Sequence, residues 1–333
     1  MPVKLLKNFS LALAMLFALL FSGCEKADKP AVKVFRITYS SGPTELVHKA
    51  ALRMAEQINR ESGGTLNARV FPSGQLGEDR KLIEGLRLRS VDMVFPGLAI
   101  ASWYAPEYGA VEAPFIWRDY DHIERVWENG LGEELGLVLQ QRAGIRTLNP
   151  WFRGPRYLST STRKVLRPED LKGLKLRVPD IDIYVKSWQV FGSDVTPVPV
   201  TDLFMALKLG VVEGQENPLA TIAANHLYEV QRYIMETRHL ISFFLPAIGP
   251  SFERRFTAEE QKIILDAFHD TTGWHNAEVE QSEAEYIKIL EAGGVEFIPL
   301  DIDPFRKLAL EKLPLLFQNT WKPGLYETIF NAE

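Results

Sequence analysis

The sequence predicts an α/β protein built from two domains. Strand-like and helix-like segments alternate from residue 33 onward, which is typical of parallel sheets covered by helices. The chain has 333 residues, 46% of them hydrophobic, an ordinary globular composition that corresponds to about two domains of about 150 residues. A third observation is the stretch from Thr257 to Gly293, which favours helix, has no interior proline and is long enough to cross both domains.

The N-terminal segment has the pattern of an export signal. Two lysines precede an apolar run from Leu11 to Phe21, which is too short for a membrane-spanning helix of about 20 residues. The run ends in "FSGC", which resembles a bacterial lipobox, in which the cysteine, here Cys24, is lipidated. We expect a lipoprotein signal peptide over 1–24, a polar tether over 25–32, and a protein in the periplasm or at the cell surface that is lipid-anchored to the membrane. A chance cysteine in an ordinary secretory signal is the alternative.

In the first half, hydrophobic periodicity predicts strand, helix, strand, helix and strand. "VKVFRITYS" is rich in β-branched residues, and apolar residues then repeat every four positions from Leu46 to Ile58, which indicates a helix over Thr44–Asn59. "TLNARVFPSG" and "VDMVFPG" are predicted strands on either side of the predicted helix "QLGEDRKLIEGLRLRS". Because strands that alternate with helices pair in parallel, we expect these strands to share one sheet.

A second series of elements begins near residue 150. "LKLRVP" alternates apolar with charged residues, so it predicts a strand that ends at Pro179 with Arg177 near its carboxyl end. "IDIYVKSWQVFG" and "TDLFMALKLG" are predicted helices, and "GQENP" is interpreted as a turn that carries Gln215 and Asn217.

The sequence argues against several functional classes. It contains neither G-x-S-x-G, nor G-x-x-x-x-G-K-[ST], nor H-E-x-x-H. Its six histidines are scattered, and the single cysteine provides neither a disulfide framework nor a cysteine-based metal site. A pI near 5.8 argues against nucleic acid as a partner. We expect no enzymatic activity, no cofactor, no metal and no nucleic-acid partner.

Polar side chains near strand ends point to an anionic solute. In open α/β sheets, ligands bind in the crevice beyond the carboxyl ends of the strands, where Arg177 is expected, and Arg156 lies at the start of another predicted strand. A guanidinium group matches a carboxylate with two parallel hydrogen bonds, and Asn217 can bind a hydroxyl or the second carboxylate oxygen. A solvated or ion-paired surface arginine is the alternative at this point.

Three segments resemble the solute-binding subunit of TRAP (tripartite ATP-independent periplasmic) transporters. They are "GQLGEDRKLIEGLRLRSVDM", "RPEDLKGLKLRVP" and "ALKLGVVEGQENPLATIAANHLYEVQRYI", and the resemblance covers roughly residues 33–320. It implies that Arg177 forms a salt bridge with the solute carboxylate and that Arg156 supplies a second arginine. It also implies that Asn217, with Gln215 beside it, belongs to the same site.

The resemblance implies the two-lobe periplasmic binding protein fold, with hinge strands and a long helix that spans both lobes. Lobe I is expected over 33–152 plus 243–281, and lobe II over 153–242 plus 282–325. Such a protein captures an organic acid in the interlobe cleft, closes on it, and delivers it to the TRAP membrane subunits for uptake driven by an ion gradient. A ligand-binding sensor partner of a signalling receptor and a secreted enzyme on the same fold are the alternatives.

Further residues are expected to face the cleft or, equally, the core. They are Tyr39, Ser40, Glu78, Phe95, Trp103, Trp151 and Phe152. Family members that bind sialic acid carry an acidic residue just after the "VDM" strand, where this sequence has Gly97, and Val200 replaces an aromatic residue. These departures argue against sialic acid. Aromatic walls with scattered hydroxyls suit a sugar acid or a 2-oxo acid, and a C4 dicarboxylate is also possible within the family.

Overall fold

The chain folds into alternating strands and helices, as a computed structural model that describes residues 31–333 shows; Cys24 and most of the expected tether lie outside the described residues. The strands are β1 (Lys33–Thr38), β2 (Leu66–Phe71), β3 (Met93–Val94), β4 (Arg146–Thr147), β5 (Trp151–Thr160), β6 (Lys175–Val178), β7 (Asp194–Pro197), β8 (Gly214–Pro218), β9 (Tyr233–Met235), β10 (Ile241–Phe244), β11 (Ala247–Ile248) and β12 (Glu296–Ile298). The helices are α1 (Leu46–Glu61), α2 (Asp79–Leu88), α3 (Ala99–Tyr104), α4 (Tyr120–Val126), α5 (Gly132–Ala143), α6 (Asp182–Phe191), α7 (Val200–Lys208), α8 (Leu219–Ala224), α9 (Phe252–Arg255), α10 (Ala258–Ala292), α11 (Asp303–Leu316) and α12 (Leu325–Asn331). Short 3-10 turns span Pro106–Glu112, Pro168–Leu171 and Leu227–Glu229, and a π turn spans Trp127–Leu131.

The strands form two sheets. The first has the order β2-β1-β3-β11-β4, and β1 pairs in parallel with both β2 and β3. The second has the order β12-β9-β5-β8-β6-β7, with β10 also paired to β5. The parallel pairing predicted for the first three strands is confirmed. It follows from the helices that connect them, because a parallel crossover needs a covering helix.

The chain passes between the sheets three times. It enters the second sheet between β4 and β5, returns between β10 and β11, and leaves again through α10 to reach β12. This is the two-lobe α/β binding protein fold, so the predicted fold class is confirmed. Among residues 31–333, we find no helix that is both long and apolar enough to cross a bilayer.

The long helix α10 starts and ends within one residue of the predicted stretch. Its start is fixed by a capping box, in which the Thr257 hydroxyl accepts from the Glu260 amide at 3.2 Å and the Glu260 carboxylate accepts from the Thr257 amide at 2.7 Å. At 1.5 Å per residue, its 35 residues extend over about 52 Å. The helix packs against α1, β5 and α8, and therefore contacts elements associated with both sheets.

Two glycines test how closely these elements pack. A Cβ atom at Gly249, just after β11, would lie 2.6 Å from the backbone oxygen of Leu86, so Gly249→Ala requires a backbone shift. Such overpacking is expected to lower the free energy of unfolding by about 1–3 kcal/mol. Gly273, exposed within α10, has no atom within 4 Å of its Cβ position, so Gly273→Ala should raise stability by about 0.5–1 kcal/mol. Urea denaturation measures both changes, and equal effects of the two variants would contradict this packing.

Candidate functional site

A cavity lies between the two sheets, at the carboxyl ends of their strands. Its volume is about 390 Å³, within the range of about 300–1,000 Å³ typical of small-molecule sites. Residues that follow β1 and β3 form one side, and residues at the ends of β6, β7 and β8 form the other. The sequence-predicted residues that line it are Ser40, Glu78, Phe95, Trp103, Arg156, Arg177 and Asn217.

Arg177 is buried in the cavity wall without an acidic partner. Only 3% of the surface of Arg177 is exposed, and its Nε donates to the carbonyl oxygen of Val198 at 2.7 Å. Within residues 31–333, we find neither a salt bridge to Arg177 nor a hydrogen bond from its two terminal nitrogens. Burial lowers the pKa of the guanidinium to about 10, so the group is still charged at neutral pH. Because an unpaired buried charge costs several kcal/mol, this position favours an anion that comes from solution.

Arg156, in contrast, is already paired inside the protein. Its Nε and Nη2 donate to the two carboxylate oxygens of Glu216 at 2.5 and 2.8 Å, and both side chains are almost fully buried. His239 Nε2 lies 3.0 Å from Glu216 Oε2, and burial lowers the pKa of His239, so the ring is neutral and donates to the carboxylate. Burial alone would raise the pKa of Glu216, but Arg156 outweighs it and holds that pKa well below the usual range.

Asn217 is held in one orientation by a chain of hydrogen bonds. Its Oδ1 accepts from Arg156 Nη2 at 3.1 Å, and its Nδ2 donates to Gln215 Oε1 at 2.5 Å. Gln215 Nε2 then donates to the hydroxyl of Ser159 at 2.8 Å. Since an amide nitrogen has two hydrogens, Asn217 retains one for a solute. Gln215 itself is fully buried and does not line the cavity, so it positions Asn217 and cannot contact a solute there.

The segment "GQENP" is a strand and not the predicted turn. β8 pairs antiparallel with β5 and parallel with β6, so both of its edges are occupied. The pairing explains why polar residues are fully buried here: neighbouring strands supply partners for their backbones and their side chains.

Three helices place their first turns at the cavity. Residues at or just before the starts of α2, α6 and α7 line it, among them Asp79, Ile181 and Val200. Each helix N-terminus carries unsatisfied N–H groups and a partial positive charge. The arrangement therefore adds a positive potential to that of Arg177 and favours an anionic solute.

The side opposite Arg177 is polar. The Ser40 hydroxyl donates to Asp79 Oδ1 at 2.5 Å, and the Gly97 amide lies 3.5 Å from Asp79 Oδ2. An acidic group thus lies next to Gly97, although it comes from α2 and not from the segment after β3. The guanidinium of Arg80 lies 4.9 Å from the ring centroid of Trp103, which lines the same side.

Of the two placements expected for Tyr39, Trp151 and Phe152, the structure has the core one: their side chains are buried in the core and do not line this cavity. The Tyr39 hydroxyl is 2.7 Å from His48 Nδ1 and its ring packs edge-on against Phe95. Trp151 donates its Nε1 hydrogen to Thr272 at 2.7 Å, and Phe152 stacks on Tyr120. Since each of these rings already has its packing partners in the core, none is available to a solute in the cavity.

Four further residues line the cavity that no sequence pattern indicated: Asp79, Glu112, Arg153 and Tyr184. Arg153 and Arg156 are three positions apart, and in a regular strand they would face opposite sides. In β5 the register with β10 skips Arg153, and Gly154 has a φ of 94°. This bulge turns both arginines toward the cavity. Arg153 donates to the Thr221 hydroxyl at 3.3 Å and lies over the ring of Phe244.

Glu112 ends the 3-10 turn Pro106–Glu112 and is 2% exposed. Burial raises the pKa of its carboxyl to about 8, although the Ser102 hydroxyl and Arg156 oppose the rise. A carboxyl that is neutral in the folded protein at pH 7 stabilises it less as the pH rises, because the unfolded chain ionises near its ordinary pKa.

The pH dependence of stability tests this assignment. The folded-state pKa of Glu112 lies above the unfolded value, so the stability difference between wild type and Glu112→Gln should fall as pH rises from about 4.5 to about 8 and then level off. The slope for one proton has a maximum of about 1.4 kcal/mol per pH unit. Guanidinium denaturation of both proteins over this range gives the difference. A difference that does not change with pH would mean that folding leaves the pKa of Glu112 unchanged, which would contradict its burial without a cation.

Comparisons with known proteins agree with this geometry. Residues 37–318 match the family model DctP, described as bacterial extracellular solute-binding protein, family 7. A solute-binding protein of Roseobacter denitrificans is 30% identical over 284 residues, which is 85% of this chain and 86% of the relative. The sialic acid-binding periplasmic protein of Vibrio cholerae is 30% identical over 260 residues, 78% of this chain and 81% of the relative.

Solved structures show the same fold. The crystal structure of a TRAP periplasmic solute-binding protein from Roseobacter denitrificans, with bound L-galactonate, superposes with a TM-score of 0.84 at 27% identity. The match covers 91% of this chain and 100% of that one. The present chain therefore belongs to the DctP family of bacterial extracellular solute-binding proteins and is a solute-binding protein of the TRAP type.

Proposed function

We propose that the protein captures an organic acid in the cavity through its carboxylate and delivers it to TRAP membrane subunits for uptake driven by an ion gradient. One observation carries the proposal: the buried guanidinium of Arg177 has no acidic partner within residues 31–333, and it lines the cavity. An incoming carboxylate would supply the missing charge with two parallel hydrogen bonds. In this account the protein performs no chemistry and needs no cofactor or metal.

Arg177, Asn217 and Arg156 have different roles in binding the solute. Arg177 binds the carboxylate, and the free amide hydrogen of Asn217 donates to one of its oxygens. Arg156 adds a positive potential, but its charge is offset by Glu216, so its main role is to hold Asn217 in place. Removing Arg156 would therefore change the structure of the cavity wall in addition to weakening the binding of the solute.

Closure of two lobes would bury the ion pair. We propose the lobes over 33–152 plus 243–281 and over 153–242 plus 282–325, each associated with one sheet, with α10 as the helix that bends when they move. The cavity lies between the sheets, so a hinge motion of this kind would exclude water from Arg177 and its partner. The exclusion of water strengthens the attraction, because the local dielectric constant falls.

The side opposite Arg177 favours a sugar acid as the solute. Asp79 and Glu78 offer carboxyl oxygens and Ser40 a hydroxyl, which suit the hydroxyl groups of a sugar acid better than a second carboxylate. The L-galactonate bound by the Roseobacter protein is such an acid. Because Asp79 lies next to Gly97, the lack of an acid at residue 97 does not by itself exclude sialic acid, which the Vibrio relative is named for.

Replacement of Arg177 tests the proposal. We expect Arg177→Ala to weaken binding of the acid at least about a hundredfold, equivalent to about 3 kcal/mol, because a buried carboxylate is left unpaired. Lys175→Ala is the matched control, since Lys175 lies on the same strand with an exposed side chain outside the cavity lining. A thermal-shift panel of L-galactonate, galacturonate, succinate, sialic acid, 2-oxo acids and matching neutral sugars identifies the acid, and calorimetry then gives its affinity. Binding by Arg177→Ala within threefold of wild type would refute the carboxylate assignment.

We further propose that Cys24 anchors the mature protein to a membrane, on the strength of the ending "FSGC". A lipid on this cysteine would keep the protein near its membrane subunits through the tether over 25–32. Cys24→Ser should move the expressed protein from the detergent phase to the aqueous phase in Triton X-114 partition. Wild-type protein found wholly in the aqueous phase would identify the leader as an ordinary secretory signal.

A further inference from the structure

Glu112 lines the cavity but has no role among the solute contacts of Arg177 and Asn217. Its carboxyl group lines the cavity, is almost fully buried, and lies at the end of the 3-10 turn that follows α3. The Ser102 hydroxyl donates to its Oε2 at 3.1 Å. Within the described part of the chain, we find no hydrogen bond to the other oxygen, Oε1, so this atom has an unused hydrogen-bonding capacity next to the solute space.

The charged and titratable groups around Glu112 do not provide it with a counter-ion. Arg156 on β5 acts on its carboxyl as a cation, and Glu216 on β8 acts on it as an anion. These two residues form a bidentate pair with each other, so their net charge is close to zero. Tyr184 on α6 also interacts with Glu112 and is a neutral phenol, since burial raises its pKa far above the physiological range.

This environment keeps the carboxyl of Glu112 protonated. An ionised carboxylate buried without its own cation costs several kcal/mol, and such a group takes up a proton instead. A protonated carboxyl has one O–H donor in addition to its acceptor oxygen. With Oε2 accepting from Ser102, the proton is available on the Oε1 side.

We propose that Glu112 is a solute-recognising residue, whose protonated carboxyl donates a hydrogen bond to an oxygen of the bound acid. The inference rests on the proposed function, because it assumes that an anionic solute occupies the cavity. A neutral donor stabilises the anion, whereas an ionised Glu112 would repel it. Binding of the acid is therefore coupled to one proton on the protein, and affinity decreases when that proton is lost.

The test compares the pH dependence of affinity in wild type and Glu112→Gln. Glutamine has nearly the same shape, retains an N–H donor and does not ionise. We expect the affinity of wild type for L-galactonate, galacturonate or succinate, measured by calorimetry, to fall up to about tenfold per pH unit above about pH 8. Glu112→Gln should bind within about threefold of wild type at pH 6.5, and its affinity should stay constant to about pH 9.

Two further variants exclude other origins of the pH effect. Asp202→Asn removes an exposed carboxyl of the first turn of α7 that does not line the cavity, and should keep the wild-type profile. Ser102→Ala removes the hydrogen bond that lowers the pKa of Glu112, so the fall in affinity should begin at a higher pH. This shift remains measurable if Glu112→Gln does not fold, which circular dichroism reveals.

The outcomes distinguish the role of Glu112 from the proposed function. A folded Glu112→Gln that keeps the wild-type slope, or that no longer binds at pH 6.5, overturns the role of Glu112, as does a wild-type affinity that is flat to pH 9. In each of these cases wild type still binds an acid through Arg177, and the proposed function stands. If wild type binds none of the three acids, the proposed function fails and this inference fails with it.

Discussion

The bidentate pair between Arg156 and Glu216 is the interaction on which the cavity wall depends. It joins β5 to β8 inside the second sheet, with side chains that are 4% and 0% exposed, and it orients Asn217 through Arg156 Nη2. Because each member neutralises the other, the pair leaves two groups of the cavity uncompensated. Within residues 31–333, Arg177 has no acidic partner in a salt bridge, and Glu112 has no cation of its own, so burial raises the pKa of its carboxyl to about 8. The recognition of an anion and its sensitivity to pH have the same structural origin.

Much of the fold could be predicted from the sequence because it depends on local patterns. Periodicity predicted β1, α1, β2 and α2, and the uninterrupted helix-forming stretch predicted α10 within one residue at each end. The position of Arg177 could also be predicted, because it lies near the carboxyl end of β6, and the carboxyl ends of the strands in an open sheet line the binding crevice. In these elements, the position of a residue along the helix or strand determines which face its side chain occupies.

The rest of the site depends on contacts between distant segments. The alternation of apolar and polar residues predicts that Tyr39 and Trp151 are buried, but it does not distinguish a core position from one on a cavity wall. In the structure, both side chains lie in the core. Arg153 faces the cavity because of a bulge opposite Ser242 and Phe243, which only the partner strand reveals. Glu112 lies in a short 3-10 turn with no periodic signal, and its neighbours come from β5 and β8.

A buried arginine without a counter-ion and a buried carboxyl without a cation both reduce the stability of a folded protein. If packing alone determined this wall, a direct pair between Arg177 and a carboxylate would be more favourable than the observed arrangement. The sequence instead pairs Arg156 internally and leaves Arg177 to the cavity, where three helix N-termini add to its potential. Locally unfavourable arrangements of this kind are expected at binding sites. A bound carboxylate would offset this unfavourable free energy, because it supplies the counter-charge that Arg177 does not have within the described part of the chain.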